Sequence, residues 1–183
     1  SYAKFAKPLS RDRVNFRTSI NYQNFNVENW SPSISGCPFY FNDYKEGEEI
    51  HHLDGQTIEE AEHQLATRLY QNNAKVHFNQ HIEKDGRFGK RIIYGGYIIS
   101  LARAISCNGL ANSVKVLSIH SGKHSAPTFS GDTIYAWSKI LDKEKIDDSL
   151  GVIRVRTLAS KNNSHMIFPD TNKLPNHIVL DLD

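Results

Sequence analysis

The chain has 183 residues, of which 39% are hydrophobic and 23% charged, and its formal net charge is +2. This length suits one domain with a substantial core. The small net charge and the lack of a block of like charges argue against a nucleic-acid-binding protein. The apolar runs are too short to span a membrane, and no signal-peptide core begins the sequence, so neither membrane insertion nor secretion is expected.

The cysteines and histidines add two further expectations. Cys37 and Cys107 make a poor disulfide framework, which favours a reducing, cytoplasmic location. The nine histidines are scattered and do not form a recognised ligand set, so no metal is expected.

Residues 1–36 form a predicted N-terminal arm or linker. This stretch is rich in Asn, Ser and Arg, and it has no sustained apolar period. Its aromatic side chains suggest an extended segment that lies on a surface. They are Phe16, Tyr22, Phe25 and Trp30. We expect a single folded domain over residues 37–183.

A first amphipathic helix is predicted over about residues 58–70. Thr57 and Glu60, three residues apart, are typical of a capping box at a helix start. Apolar residues then follow at helical spacing. They are Ile58, Ala61, Leu65 and Leu69.

A long polar loop is predicted over residues 71–95. It contains Asn72 and His77, and the imidazole of His77 offers a group that can transfer protons near neutral pH. The loop also carries Arg87, Lys90 and Arg91. Long ordered loops are often functional, but these three cations could equally form a solvated edge.

A second helix is predicted to begin at Gly95 and to end near Asn108-Gly109. It is apolar almost all round, which is typical of a buried helix. Gly95 and Gly96 at its start offer bare N–H groups to an oxygen that gains negative charge. An alternative reading is that the two glycines only allow the helix to pack closely on a strand.

Four strands are predicted after this helix, and the second and third of them alternate apolar and polar faces. They cover residues 114–119, 133–141, 152–159 and 177–182. A buried helix followed by long antiparallel strands predicts an α+β fold, in which a curved antiparallel sheet wraps around that helix.

Several strings, in their order along the chain, resemble the MaoC-like (R)-specific enoyl-CoA hydratases. The resemblance covers about residues 40–183 and is strongest to the C-terminal half of the mesaconyl-CoA hydratase (β-methylmalyl-CoA dehydratase) branch. It rests on Gly86-Arg87-Phe88-Gly89, Tyr94-Gly95-Gly96 and Gly131-Asp132-Thr133-Ile134-Tyr135-Ala136-Trp137-Ser138. The resemblance implies a hotdog fold, in which the curved sheet wraps a long central helix.

The resemblance also implies roles for particular residues. His77 matches the histidine of the family motif Asp-x-Asn-Pro-Leu-His, whereas Asn72 stands in place of its aspartate. His77 is therefore expected to move a proton and Asn72 to orient a water molecule. Tyr94, Gly95 and Gly96 are expected at the substrate. Either His77 acts alone or a carboxylate joins it, and Glu62 and Glu83 are candidates by sequence proximity only.

The implied activity is that of a hydro-lyase, which adds water reversibly to a short branched enoyl-CoA, and mesaconyl-CoA is the expected substrate. Coenzyme A is then part of the substrate, and no further cofactor is expected. Arg87, Lys90 and Arg91 could bind the coenzyme phosphates. Two other activities remain open, namely an acyl-CoA thioesterase and a non-catalytic acyl-CoA-binding half.

The size of the chain bears on its assembly. Members of the mesaconyl-CoA branch resemble two hotdog units in one chain, and 183 residues leave room for one. The sequence could be half of a split enzyme, a piece of a longer chain, or a self-pairing protein. We therefore expect a homodimer or pairing with a second hotdog unit.

Overall fold

A computed structural model describes residues 27–165, 167–169 and 174–183. Most of the predicted arm, residues 1–26, lies outside the described residues, and the boundary between residues 36 and 37 stays a prediction. The described end of the arm includes the short helix α1 (Pro32–Ser35). Just before it, the Trp30 indole N–H donates a hydrogen bond to Asn112 Oδ1 at 2.8 Å.

The core of the fold is a five-stranded antiparallel sheet with strand order β1-β3-β4-β5-β2. Its strands are β1 (Glu49–Thr57), β2 (Gly122–His124), β3 (Thr133–Lys145), β4 (Gly151–Lys161) and β5 (Ile178–Leu182). The predicted strands over 133–141, 152–159 and 177–182 correspond to β3, β4 and β5.

The remaining helices lie between β1 and β2 in the chain. They are α2 (Glu60–Leu69), a 3₁₀ turn (Lys75–His77), α3 (Gln80–Glu83), α4 (Gly95–Ile105) and α5 (Cys107–Leu110). The predicted central helix is α4, and its buried face packs on the inner face of the sheet. The residues that form this core include Ile98, Leu101, Ile105, Ile134, Ala136, Ala159 and Leu180. The α+β architecture of a sheet around one helix is therefore confirmed.

Alternation along β3 and β4 places side chains on two faces, as predicted. Ile134 and Ala136 are buried with α4, whereas Trp137 packs against Phe168 on the opposite face. On that outer face, two arginines of β4 bind carboxylates at the end of the chain through paired hydrogen bonds of 2.5–2.8 Å. These pairs are Arg154 with Asp183 and Arg156 with Asp181.

The strand predicted over residues 114–119 is wrong. In the structure this stretch has no regular secondary structure, and the sheet position beside β5 is occupied by Gly122–His124. The stretch is rich in apolar residues, but several of them are exposed. Val114, Val116 and Ile119 are 44%, 56% and 55% exposed. Apolar content alone therefore did not show whether this stretch joins the sheet.

Strand β1 was missed because it is largely polar, with only His52 buried. Its pairing with β3 shifts register between His51 and Gly55, and Leu53 within this irregular stretch has φ of +46°. The predicted capping box is also wrong. Thr57 is the last residue of β1, its hydroxyl bonds the Thr133 hydroxyl at 2.8 Å, and α2 begins two residues later than predicted.

The central helix is also less enclosed than its composition suggests. Ile98, Leu101, Ala102 and Ile105 are buried, but Ala104 is exposed. The sheet covers one side of α4, so an apolar residue on the other side keeps its contact with solvent. Within the described ranges, no helix is both long and apolar enough to cross a membrane.

Candidate active site

The N-terminal end of α4 brings together four of the residues considered above, which are His77, Tyr94, Gly95 and Gly96. His77 ends the 3₁₀ turn after α2, and its Nδ1 lies 3.0 Å from the carbonyl oxygen of Ile92. Because a carbonyl only accepts hydrogen bonds, Nδ1 must carry the proton. In the neutral ring Nε2 is then an unprotonated acceptor. His77 is half-buried, and the described residues provide no hydrogen-bond partner for Nε2.

His63, on α2, fixes the position at which α4 begins. Its side chain is buried, and its Nε2 accepts the backbone N–H of Tyr94, the N-cap of α4, at 2.9 Å. Burial, with a smaller contribution from the charge of His77, lowers the pKa of His63 to about 4. His63 is therefore neutral at pH 7 and acts as an acceptor for the backbone, a contact that its sequence position gave no signal to find.

Aromatic rings line the space between α2 and the start of α4. The His77 ring lies 5.7 Å from Tyr94 and 6.5 Å from His63, centroid to centroid. Tyr97 donates its hydroxyl hydrogen to Glu62 Oε2 at 3.0 Å, and burial followed by this bond raises the pKa of Tyr97 to about 12. Of the two carboxylates suggested by sequence, Glu62 thus reaches this space through Tyr97. No described contact joins Glu83 to it.

Gly95 and Gly96 open α4 without a side-chain cap. The first N–H groups of a helix have no partner within the helix, so they can bind an incoming oxygen. Both glycines are also closely packed. A Cβ on Gly96 would lie 2.5 Å from the Tyr94 ring, and one on Gly95 would lie 2.7 Å from His124 Nε2. The close approach of the Tyr94 and His124 rings is thus a second reason to expect glycine at both positions, and the oxyanion role stays a prediction.

Asn72 lies at the start of the turn that leads to His77. Its Oδ1 accepts the N–H of Ala74 at 2.9 Å, and its own N–H donates to the Thr67 carbonyl at 2.8 Å. No described contact links its side chain to His77. The structure therefore places Asn72 as a local turn residue next to the site, and its predicted role in orienting a water molecule stays a prediction.

The three predicted phosphate-binding cations differ in their surroundings. Arg91 forms an ion pair with Glu60 and also donates to the Phe78 carbonyl at 3.3 Å. Arg87 and Lys90 are exposed and lie over aromatic rings. Arg87 is 5.0 Å from the Phe88 ring centroid, and Lys90 is 4.3 Å from that of Phe129. Arg91 therefore braces α2, whereas the other two cations face solvent.

Backbone bonds join this basic surface to His77. The Ile92 N–H donates to the Val76 carbonyl at 3.2 Å, and the Ile93 N–H donates to the Thr128 carbonyl at 2.9 Å. The short segment before Tyr94 is thus held between the His77 turn and the turn that carries Phe129. Among the described residues, no cluster of three or more His, Cys, Asp or Glu side chains could hold a metal ion.

Comparison with known proteins identifies the family. No family model matches the chain. It is 52% identical over 160 residues to β-methylmalyl-CoA dehydratase from Chloroflexus aurantiacus. The aligned region covers 85% of this chain and 46% of that enzyme. It is 47% identical over 155 residues to mesaconyl-CoA hydratase from Cereibacter sphaeroides, covering 82% and 44% of the two chains. The chain is a MaoC-like protein.

Comparison with solved structures identifies the fold. A MaoC domain dehydratase from Chloroflexus aurantiacus superposes with a TM-score of 0.77 at 50% identity, covering 90% of this chain and 47% of that one. A Mycobacterium tuberculosis protein described as having a double hotdog fold superposes with a TM-score of 0.57, over 84% of this chain and 43% of its own. The predicted hotdog fold is confirmed. This MaoC-like chain spans about half the length of the curated relatives that it matches.

Proposed function

We propose that this MaoC-like chain is the catalytic hotdog unit of an enoyl-CoA hydratase. Its substrate would be a short branched dicarboxylic enoyl-CoA such as mesaconyl-CoA, which it would hydrate reversibly to β-methylmalyl-CoA. The observation that carries the proposal is the anchored His77, whose Nδ1–H is held by Ile92 and whose Nε2 is open beside the start of α4. The activities named for the two relatives support the same reaction.

His77 would act as the acid–base group. Its Nε2 takes a proton from a water molecule as the water oxygen bonds to the β-carbon of the enoyl thioester. The protonated ring then delivers a proton to the α-carbon, so that one water is added across the double bond. Positioned acid–base catalysis of this kind accelerates reactions by about 10²–10⁴.

Gly95 would hold the thioester oxygen while it carries negative charge between these two steps. Its N–H lies at the positive end of α4, and it is not used within the helix. One such donor is worth roughly 10²–10³ in kcat. Gly96 allows the backbone to approach closely, and Tyr94 forms the wall next to His77.

Coenzyme A would enter as part of the substrate, and the mechanism needs no further cofactor. Arg87 and Lys90 are exposed near the site and are suited to the coenzyme phosphates. Arg91, which is paired with Glu60, would contribute positive charge while it holds α2 in place.

Pairing with a second hotdog unit would complete the site. In the described residues β2 has a sheet neighbour only on its β5 side, and the preceding stretch exposes Val114, Val116 and Ile119. An unpaired edge next to exposed apolar side chains is a surface that favours association. The opposite edge, β1, is distorted around Leu53, which makes it less suited to pairing. A homodimer or a separate hotdog partner would fit.

The deciding experiment is an assay of the purified chain with mesaconyl-CoA. The absorbance of the conjugated enoyl thioester should fall without release of free thiol. His77→Ala should slow this change by about 10²–10⁴, whereas His81→Ala, which alters an exposed histidine on α3, should not slow it. Thiol release would instead indicate a thioesterase. Binding without turnover, both alone and with a second hotdog unit, would indicate a non-catalytic half.

A further inference from the structure

His124 contacts the glycine at which α4 begins. It is the last residue of β2, and its ring lies against the α-carbon of Gly95. A Cβ built on Gly95 would be 2.7 Å from Nε2 of His124 and 3.1 Å from both Cδ2 and Cε1. The imidazole therefore occupies the space beside the residue whose N–H group is proposed to bind the thioester oxygen.

The ring of His124 is also uncommitted, unlike the rings of three other histidines. His52, His63 and His77 each have a ring nitrogen within 3.0 Å of a backbone atom that fixes the ring. His124 is exposed, and neither ring nitrogen has a hydrogen-bond partner in the part of the chain that the structure describes. It can therefore give its N–H to a ligand without breaking an internal bond.

We propose that His124 is a second hydrogen-bond donor to the thioester oxygen of the substrate, next to the N–H of Gly95. This inference rests on the proposed function and assigns a further substrate-contacting residue to the same site. Two donors around one oxygen stabilise the charge that develops there better than one donor does.

The chemistry of the ring suits this role. The part of the imidazole that packs on Gly95 is shielded from water, which lowers the pKa of His124 below its ordinary value. The ring is thus neutral at pH 7, and a neutral imidazole has one N–H to donate. The hydrogen bond from His124 to the thioester oxygen becomes stronger as negative charge builds on that oxygen. His124 keeps its own proton, and proton transfer is left to His77.

The test compares three variants of the assembled protein. His124→Ala removes the donor, His124→Asn offers a shorter donor in its place, and His51→Ala is the matched control. His51 is an exposed histidine on β1, at the opposite edge of the sheet. We expect His124→Ala to lower kcat by roughly 10²–10³ with little change in KM. His124→Asn should recover part of this loss, and His51→Ala should behave as the wild type.

A comparison of two substrates distinguishes binding of the thioester oxygen from binding of another part of the substrate. A donor to the thioester oxygen affects mesaconyl-CoA and crotonyl-CoA by the same factor, because both carry that oxygen. A loss confined to mesaconyl-CoA would mean that His124 binds the second carboxylate, and it would overturn the proposal. The proposal would also be overturned if His124→Ala raised KM alone, or if its kcat stayed within threefold of the wild type.

A spectroscopic measurement tests the hydrogen bond from His124 to the thioester oxygen independently of turnover. Mesaconyl-CoA bound to His77→Ala should absorb at a longer wavelength than free mesaconyl-CoA, because hydrogen bonds to the carbonyl polarise the conjugated thioester. Adding His124→Ala should reduce this shift. An unchanged shift would overturn the role of His124 while leaving the hydratase proposal intact. If the wild type hydrates no substrate, the hydratase proposal fails, and the same spectra recorded on wild type and His124→Ala still decide the role of His124.

Discussion

His77 and His52 lie at opposite ends of α4. Both have Nδ1 bound to a backbone carbonyl, but they differ in the surroundings of Nε2. Each has Nδ1 held by a backbone carbonyl, Ile92 at 3.0 Å for His77 and Asn108 at 2.6 Å for His52. Nε2 of His52 is 2.8 Å from the Ser138 hydroxyl, and both side chains are fully buried. Nε2 of His77 has no hydrogen-bond partner among the described residues, and the His77 side chain is half-buried.

The directions of the buried bonds follow from this geometry. His52 must donate from Nδ1, so Ser138 donates to Nε2. The Ser138 oxygen can then accept from Thr157, whose hydroxyl lies 2.9 Å away. Every polar atom in this chain of bonds has a partner, so His52 is suited to holding β1, β3 and β4 together. The comparison teaches that the same anchor gives a structural group when the second nitrogen is enclosed, and leaves a nitrogen that can accept a hydrogen bond from a ligand when it is not.

The largest expected effect tests the open histidine. His77→Ala should lower kcat for mesaconyl-CoA by about 10²–10⁴, because the group that moves the proton is lost. The unfolding free energy should fall by only about 1 kcal/mol, which is typical of one hydrogen bond. Steady-state kinetics and urea denaturation measure the two quantities. An activity within a few-fold of the wild type would remove His77 from the mechanism.

The enclosed histidine should show the reverse pattern. His52→Ala should lower the unfolding free energy by roughly 2–4 kcal/mol, since it removes the hydrogen bonds of His52 to Ser138 and to the Asn108 carbonyl and opens a cavity. His51→Ala, at the neighbouring exposed position, should stay within about 0.5 kcal/mol of the wild type. Equal losses for the two variants in chemical denaturation would contradict a structural role for His52.

Acid should weaken the fold through the buried histidines. Burial lowers the pKa of His63 from 6.5 to about 4, and it lowers that of His52 as well. Below pH 6.5 the unfolded chain therefore binds protons that the folded chain does not, so stability falls as pH decreases. For His63 this loss continues down to about pH 4. Between its pKa in the folded chain and its pKa in the unfolded chain, each such histidine lowers the unfolding free energy by about 1.4 kcal/mol per pH unit as the pH falls.

Comparison with His63→Gln isolates this contribution. The glutamine side chain can accept the Tyr94 N–H through its oxygen but does not titrate in this range. Unfolding free energies measured between pH 7 and pH 4 should therefore decline less steeply in the variant than in the wild type. Parallel curves would show that His63 does not titrate on unfolding.

The smallest effect is expected at Asn72. Asn72→Asp should keep substantial activity, because a carboxylate oxygen can accept the Ala74 N–H as the amide oxygen does. Asn72→Ala should lower kcat less than His77→Ala does, since it loosens the turn without removing the proton carrier. If Asn72→Ala costs more than His77→Ala in the same assay, the assigned roles must be exchanged.

Local patterns identified the elements that bury one regular face. The helical spacing of Ile98, Leu101 and Ile105 predicted α4, and alternation predicted β3 and β4, because each pattern is read within a few neighbouring residues. The family motif added His77 and Gly95, which come together at one end of α4.

Only the tertiary structure decided which distant residues meet. The His52–Ser138 bond joins positions 86 residues apart, and β1 is a strand because it pairs with β3 and not because of its own composition. The contact between Gly95 and His124 likewise depends on the pairing of β2 with β5, and the sequence predicted a strand at residues 114–119 instead of at Gly122–His124. Hydrophobic periodicity determines which face of an element is buried. Strand order and register depend on long-range backbone pairing, and here they bring His124 against the start of α4.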